Sequence, residues 1–346
     1  TGWRIAITQK DIVDPDKVYA TLSALTPVDY GRFTASAAKS TDPYEEVAFR
    51  VSDSAATKIR ALKIPGVLLV QDTWRSYPAG ELAAQTVGFV AFQGSGTTKT
   101  GVYGLERSWQ DTLNEKTSGM YINPFAEIFA NVRSALSSDP ASQQGDIVTS
   151  IEPTVQTQLE NTLDGVVKTY TPRLAGGIIM DPRTGEIFAI SSRPAFDPNT
   201  YNTVSNPAVY SNQLVEGRYE LGSIMKALTM AAGIDSGAVT PATTYNDVGC
   251  IRPSGKTVCN YDLKARGIIP MQEVLNHSLN LGASFVADKT GYATFTRYMR
   301  AFGFGEKTGI DLPNEVTGDL STLGGGTGPA VNYDTASFGQ GVSVSP

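Results

Sequence analysis

A polar pair at the start of an apolar helix places the strongest constraint on what this chain can fold into. The stretch begins at Glu220, reaches Lys226 and continues into the apolar run Ala227–Ile234. Gly222 predicts the turn that begins the helix, so that Ser223 lies in the first turn and Lys226 follows one turn later on the same face. Unpaired N–H groups and the helix dipole favour negative charge there. Because burying such a pair is costly, we treat it as a candidate site.

Length and composition describe a globular chain with room for two domains. The chain has 346 residues, of which 41% are hydrophobic and 18% charged, as in folded globular proteins. The net charge of −6 gives no electrostatic reason to expect a nucleic-acid partner. The chain starts at Thr1 without an initiator Met, so we expect that a targeting or anchoring segment has been removed.

The two cysteines bracket a predicted turn. Cys250 and Cys259 flank Pro253-Ser254-Gly255, whose residues favour folding of the two flanks into a hairpin. We prefer a disulfide in an oxidising compartment, and two free thiols in a cytosolic loop are the alternative. A zinc site is not expected, because His277 is the single histidine of the chain.

Linker composition predicts a domain boundary near residue 145. The stretch Ser134–Gly145 is rich in Ser, Asp, Pro and Gln, which is typical of a linker. Before it, we predict helices from Asp14-Pro15 to Leu25, at 54–62 and at 104–113, and a strand at 67–70. After it, we predict a strand at 146–151, a helix at 154–170 with an apolar stripe (Leu159, Leu163, Val166, Val167), two strands at 175–180 and 186–191, and helices at 270–276 and 283–289. This order favours an α+β fold, an antiparallel sheet with helices packed on it.

A serine nucleophile needs a base, and Lys226 is the best candidate. A triad through His277 is not favoured, because that histidine lies at a predicted helix end and is expected to be partly exposed. A lysine can act as the base where burial lowers its pKa. A second Ser-x-x-Lys, at Ser36–Lys39, lies in a polar stretch with no apolar helix after it, and we attribute it to chance.

Ser278-x-Asn280 strengthens the assignment of Ser223. It is the only Ser-x-Asn in the sequence, and it adds a hydroxyl for proton transfer and an amide that can bind a peptide. Taken alone, the pair would be interpreted as a helix cap and a surface amide. The combination with Ser223 and Lys226 favours the functional interpretation.

Together these motifs resemble the penicillin-binding proteins, the serine D,D-transpeptidases that cross-link the bacterial cell wall, and most closely the class B type. The stretches that carry the resemblance are Met180–Ala189, Arg193–Asn199, Phe302–Pro313 and Ser337–Gly341, with Tyr77–Ala84 and Gly104–Glu106 in the first half. The resemblance implies a non-catalytic pedestal domain at 1–145 and a β-lactamase-like transpeptidase domain at 146–346.

The resemblance also implies roles for the candidate residues. Ser223 would attack the D-Ala-D-Ala bond of a stem peptide and form an acyl-enzyme, and β-lactams would acylate it in the same way. Lys226 would accept the serine proton, Ser278 would relay a proton to the leaving amine, and Asn280 would hold the substrate amide. No cofactor is implied. The implied partners are stem peptides, β-lactams and a membrane glycosyltransferase of the SEDS type, at the extracytoplasmic face of a membrane reached by an N-terminal transmembrane helix.

The third family motif, Lys-Thr/Ser-Gly, has no counterpart in the expected place. Three such triplets occur, at 99–101, 289–291 and 307–309, and we expect none of them to be catalytic. The motif is therefore expected beyond Pro346, which would make this chain an incomplete and inactive part of an enzyme. Two alternatives stay open: acyl transfer to water, as in a D,D-carboxypeptidase or β-lactamase, and a non-catalytic cell-wall scaffold or β-lactam sensor.

Overall fold

The computed structural model describes residues 1–39, 44–92, 99–113 and 145–346. They form two compact units, Thr1–Pro78 and Ala79–Pro346. All strand pairings in these ranges are antiparallel and helices pack on the strands, which confirms the α+β fold class. No helix in the described ranges is both long enough and apolar enough to span a membrane. The boundary at 145 stays a prediction, since most of its linker, 134–144, lies outside the described residues.

The first unit is a three-stranded sheet with three helices. Its elements are β1 (Gly2–Ile7), α1 (Pro15–Ser23), α2 (Tyr30–Ala37), β2 (Glu45–Val51), α3 (Asp53–Leu62) and β3 (Val67–Asp72), and the strand order is β2-β1-β3. Asp14 caps α1 by accepting a hydrogen bond from Lys17 N at 3.0 Å, which confirms the predicted helix start. Helix α2 was not predicted, because its Ser/Thr/Ala-rich sequence buries only Phe33 and Ser36.

The second unit contains the remaining elements. Its strands are β4 (Val90–Phe92), β5 (Lys99–Gly101), β6 (Ala175–Met180), β7 (Ile187–Arg193), β8 (Thr244–Asp247), β9 (Cys250–Ile251), β10 (Val258–Cys259) and β11 (Gly267–Pro270). Its helices are α4 (Ala84–Val87), α5 (Gly104–Ser108), α6 (Gln110–Leu113), α7 (Pro153–Tyr170), α8 (Gln213–Glu216), α9 (Met225–Asp235), α10 (Met271–Asn276), α11 (Asn280–Thr290), α12 (Tyr292–Ala301) and α13 (Ala330–Ser337). The strands pair as β4-β5, β6-β7, β8-β11 and β9-β10.

The strand predicted at 146–151 is wrong. This segment is extended without a strand ladder, and Val148 is 96% exposed. It meets β7 only at its end, where Ser150 Oγ donates to Ile187 O and Glu152 N donates to Phe188 O, both at 2.8 Å. The apolar residues of this segment predicted a strand. The helix α7 begins at Pro153, so backbone pairing with β7 stops at Glu152.

Helix α7 contacts β7 through polar side chains as well as apolar ones. Of the four residues predicted to form its apolar stripe, Leu163 is buried and the other three are half-buried. Gln156 accepts from Ile190 N at 2.9 Å and donates to Ile190 O at 3.1 Å, so its amide pairs with the strand as a neighbouring backbone would. Glu160 forms an ion pair with Arg193 at 3.2 Å. The apolar periodicity of the sequence predicts the apolar contacts of α7 but not its buried polar ones.

Helix α9 lies at the centre of the helical part of the second unit and contacts α11, α12 and α13. Its Met225 is 1% exposed and belongs to one core with Phe295, Met299 and Tyr333. On the other side Met230 packs in a second cluster with residues of α10 and α11. The start and the middle of α9 therefore pack in different apolar clusters.

Candidate active site

Ser223 lies in a short 3-10 turn, Gly222–Ile224, that leads directly into α9. Gly222 has φ +61°, a conformation that glycine adopts without steric cost. Ser223 is exposed, whereas Lys226, three residues later, is 2% exposed. Lys226 Nζ lies 3.1 Å from Ser223 Oγ. The helical spacing therefore brings an accessible hydroxyl next to a buried amine.

Ser278 completes this contact from a distant part of the chain. It follows α10, and its φ of +53° is a left-handed conformation that costs a serine about 1–2 kcal/mol. Lys226 Nζ lies 2.6 Å from Ser278 O and 3.0 Å from Ser278 Oγ. The amine thus lies within hydrogen-bond distance of both predicted hydroxyls.

Burial changes the pKa of the Lys226 amine. It lowers the pKa of Lys226 to about 8, because the charged form loses hydration. About one lysine in ten is then neutral at pH 7. The three neighbouring oxygens match the three N–H donors of the charged form, and the neutral form has a lone pair that can accept the serine proton.

Asn280 is held by the cysteine hairpin. It is the first residue of α11, and its Nδ2 donates to Cys259 O at 2.8 Å. Cys259 pairs with Cys250 across β9 and β10, and the structure joins the two in a disulfide. In the part of the chain that the structure describes, one amide hydrogen and the amide oxygen of Asn280 remain for other contacts.

A segment near the end of the chain supports the turn that carries Ser223, a role that sequence reasoning missed. Gly339 O accepts a hydrogen bond from Gly222 N at 3.1 Å, and a Cβ on Gly339 would lie 2.3 Å from Gly222 O. Thr229 Oγ1 donates to Ser337 O at 2.7 Å, and Gly341 N donates to the Glu220 carboxylate at 2.8 Å. The glycine-rich stretch around Gly339 was the signal available in the sequence.

The other motif-like triplets have structural contacts. Residues 99–101 form β5, and Thr290 Oγ1 donates to Val286 O at 2.8 Å within α11. Thr308 donates to Glu315 from its N at 2.5 Å and from its Oγ1 at 2.6 Å, so that the third triplet binds an internal carboxylate.

The other candidate residues of the sequence, Ser36, Lys39 and His277, contact nearby carboxylates. Ser36 Oγ and Lys39 Nζ both bind the Glu45 carboxylate, at 3.1 and 2.6 Å. His277 is exposed and lies 3.0 Å from Glu273 one turn earlier. Within the described ranges no group of three or more His, Cys, Asp or Glu side chains is arranged to hold a metal ion.

Comparison with known proteins points to one family. Residues 175–346 match the family described as penicillin binding protein transpeptidase domain. Stage V sporulation protein D of Bacillus subtilis is 33% identical over 299 residues, which cover 86% of this chain and 45% of that protein. Peptidoglycan D,D-transpeptidase MrdA of Acinetobacter baumannii is 29% identical over 344 residues, which cover 90% and 50%.

A solved structure shares the fold. The crystal structure of penicillin binding protein 2X from Streptococcus thermophilus aligns over 99% of this chain and 54% of its own chain, with a TM-score of 0.69 and 20% identity. The likeness shows a penicillin-binding fold, in which this chain brings Ser223, Lys226 and Ser278 together. The chain belongs to the class B penicillin-binding proteins. It spans about half the length of the curated relatives it matches.

Proposed function

We propose that the protein containing this chain is a serine-type peptidoglycan D,D-transpeptidase. The observation that carries the proposal is the position of Lys226 Nζ, buried and within 3.1 Å of Ser223 Oγ and 3.0 Å of Ser278 Oγ. A buried amine between two hydroxyls can take a proton from one and return it through the other. The family names of the relatives support the same reaction.

These contacts and the names of the relatives support the following chemistry. Ser223 Oγ attacks the carbonyl carbon of the penultimate D-Ala of a stem peptide, and neutral Lys226 takes its proton. The C–N bond to the terminal D-Ala breaks, and Ser278 passes a proton to the leaving amine. The amine of a second stem then attacks the acyl-enzyme, forms the cross-link and releases Ser223 with its proton restored. A β-lactam amide enters the first step in place of the substrate.

Two further groups support binding of the substrate. The backbone N–H of Ser223 lies in the first turn before α9, where it can stabilise a developing oxyanion. The free amide atoms of Asn280 can bind a backbone amide of the stem peptide. Ser223, Lys226, Ser278 and Asn280 are therefore the residues we assign to the reaction.

The cellular setting is part of the proposal. The Cys250–Cys259 disulfide supports an oxidising, extracytoplasmic compartment. We propose that residues 1–145 form a pedestal and residues 146–346 the transpeptidase domain. We also propose an anchoring helix before Thr1 and a glycan-polymerising SEDS glycosyltransferase as the partner.

The first test is the intact mass of the full-length protein after incubation with benzylpenicillin. We expect one covalent adduct, absent in Ser223→Ala, because that hydroxyl is the nucleophile. Loss of the adduct within minutes by hydrolysis would instead favour a β-lactamase or carboxypeptidase with water as acceptor. No adduct on the wild-type protein would overturn the proposal in favour of a non-catalytic scaffold.

A further inference from the structure

The helix that carries Asn280 has no cap of its own. Leu279 stands at the N-cap of α11, and no side chain from the adjacent sequence caps the helix. Asn260, from the loop after β10, fills this position: its Oδ1 accepts a hydrogen bond from Leu281 N at 3.2 Å. Helix N–H groups that are buried without a partner are costly, so this contact stabilises the start of α11.

The contact is reciprocal. While Asn260 accepts from the helix, Asn280 Nδ2 donates in the opposite direction to Cys259 O at 2.8 Å. Cys259 and Asn260 are consecutive, as are Asn280 and Leu281. Two peptide segments distant in sequence are therefore joined by a pair of hydrogen bonds that include one of the assigned site residues.

Asp247 sets the orientation of the Asn260 amide. Asn260 Nδ2 lies 2.8 and 3.0 Å from the two carboxylate oxygens of Asp247, and both residues are 1% exposed. A carboxylate can only accept, so the NH2 group must face Asp247 and the amide oxygen must face the helix. Gly249 N donates to the same carboxylate at 3.0 Å, and Arg266 lies 3.8 Å from it.

We infer that Asn260 is a positioning residue for the active site, oriented by Asp247 and acting through the first turn of α11 on Asn280 and Ser278. This inference rests on the proposed function. Ser278 lies just before α11 in a left-handed conformation that persists only where its surroundings hold it. With the Asn260 side chain removed, Leu281 N loses its partner, and the Asn280–Cys259 bond is left as the one described hydrogen bond of this pair.

The first experiment separates binding from acylation. Benzylpenicillin labelling of the full-length protein is followed in rapid-mixing kinetics, which yield a dissociation constant and a first-order acylation rate constant. In Asn260→Ala we expect the rate constant to fall on the order of 10- to 100-fold, because small displacements of reacting groups are costly.

Asn212→Ala is the matched control. Asn212 is 4% exposed and caps α8 by accepting from Leu214 N at 3.2 Å, so it is also a buried capping asparagine of the second unit. We expect both variants to lose thermal stability and only Asn260→Ala to lose acylation rate. Equal slowing in the two variants, or a wild-type rate in Asn260→Ala, would overturn the inference.

Exchanging the amide and the carboxylate of Asn260 and Asp247 tests whether a slow variant is slow because of this contact or because it misfolds. Asn260→Asp places two carboxylates against each other and is expected to slow acylation. Adding Asp247→Asn restores one carboxylate and one amide, with the carboxylate now facing the helix N-terminus, which favours negative charge. We expect the double variant to recover most of the rate. A double variant as slow as Asn260→Asp alone would count against the inference.

A readout independent of acylation separates this inference from the proposed function. In Ser223→Ala, hydrogen exchange of the Asn280 side-chain amide is measured by NMR. We expect protection through the bond to Cys259 O, reduced when Asn260→Ala loosens the start of α11 and kept when Asn212→Ala is added. Unchanged protection with Asn260→Ala overturns the positioning role, whereas a wild-type protein that no penicillin labels overturns the proposed function.

Discussion

The proposed chemistry of the site depends on Lys226, whose amine is buried and has lost most of its hydration. Its side chain is buried, with the residue 2% exposed, and the oxygens around its amine come from Ser223 and Ser278. Hydroxyl and carbonyl oxygens stabilise an ammonium less than a carboxylate would, so burial is the dominant effect on its pKa. A lysine in this state can act as a base near neutral pH.

We expect acylation of Ser223 to speed up as pH rises and to level off above about pH 8. Burial lowers the pKa of Lys226 to about 8, and only the neutral amine, which predominates above that pKa, can accept the serine proton. Lys226→Arg, which stays charged, should be slower on the order of 10²–10⁴-fold. The acylation rate constant measured across this pH range is the check, and a flat wild-type profile would contradict it.

A second buried titratable group should affect stability. Asp334 on α13 is 2% exposed, and its Oδ1 has no hydrogen-bond partner among the described residues. Burial, followed by the charge of Asp288, raises its pKa to about 6. The folded state therefore holds a proton that the unfolded state releases near pH 4. Stability falls as pH rises from about 4 to 6, and the loss persists above pH 6.

We expect Asp334→Asn to raise the free energy of unfolding at pH 7 by roughly 1–3 kcal/mol, and to give no gain below about pH 4. Urea unfolding at several pH values measures this. Asp164→Asn should behave oppositely, losing stability at neutral pH, because the Arg193 guanidinium lowers the pKa of Asp164. A destabilised Asp334→Asn at pH 7 would show that the carboxylate has a role that burial does not reveal.

Among the elements, the segment after α13 and the start of α9 act together. Gly339 O accepts a hydrogen bond from Gly222 N, and Thr229 of α9 donates to the carbonyl of Ser337, the last residue of α13. The turn that carries Ser223 is thus held from two sides, by its own helix and by a segment more than a hundred residues later in the chain.

Gly339→Ala should slow acylation as well as destabilise the fold. Its φ is +81°, and the added Cβ would lie 2.3 Å from Gly222 O, so the Ser223 turn must shift. Gly309→Ala is the control: Gly309 has the same φ of +81°, but a Cβ added there would meet no atom within 4 Å. Penicillin labelling and thermal unfolding of both variants test this, and a Gly339→Ala protein labelled as fast as Gly309→Ala would refute it.

At the level of the whole molecule, the first unit has a core of its own. The cluster formed by its sheet and helices includes Ile5, Leu22, Phe33 and Val51, all fully buried, and draws only on residues before Pro78. A unit with a separate core can fold as an independent domain.

We therefore expect residues 1–78, expressed alone, to unfold in one cooperative transition. Phe33→Ala should lower its free energy of unfolding by about 3–5 kcal/mol or abolish folding, because Phe33 is 0% exposed. Phe49→Ala, at a position 41% exposed, should cost much less. Circular dichroism during thermal unfolding is the measurement, and a non-cooperative wild-type fragment would contradict independence.

The sequence alone determined what depends on neighbours along the chain. The start of α1 at Asp14-Pro15, the β6-β7 hairpin and the 3.1 Å approach of Lys226 to Ser223 follow from capping, turn chemistry and helical spacing. The false strand at 146–151 shows the limit of local pattern, since Val148 is apolar and exposed.

Contacts across long sequence separations required the folded chain. Ser278 meets Lys226 from 52 residues away, Gly339 packs on Gly222, and Asn260 caps a helix that begins about twenty residues later. No periodicity encodes such pairs, because each depends on how separately formed elements pack. The sequence therefore identified the candidate side chains and the Ser223–Lys226 spacing, whereas packing in three dimensions brought Ser278 to Lys226 and buried the amine.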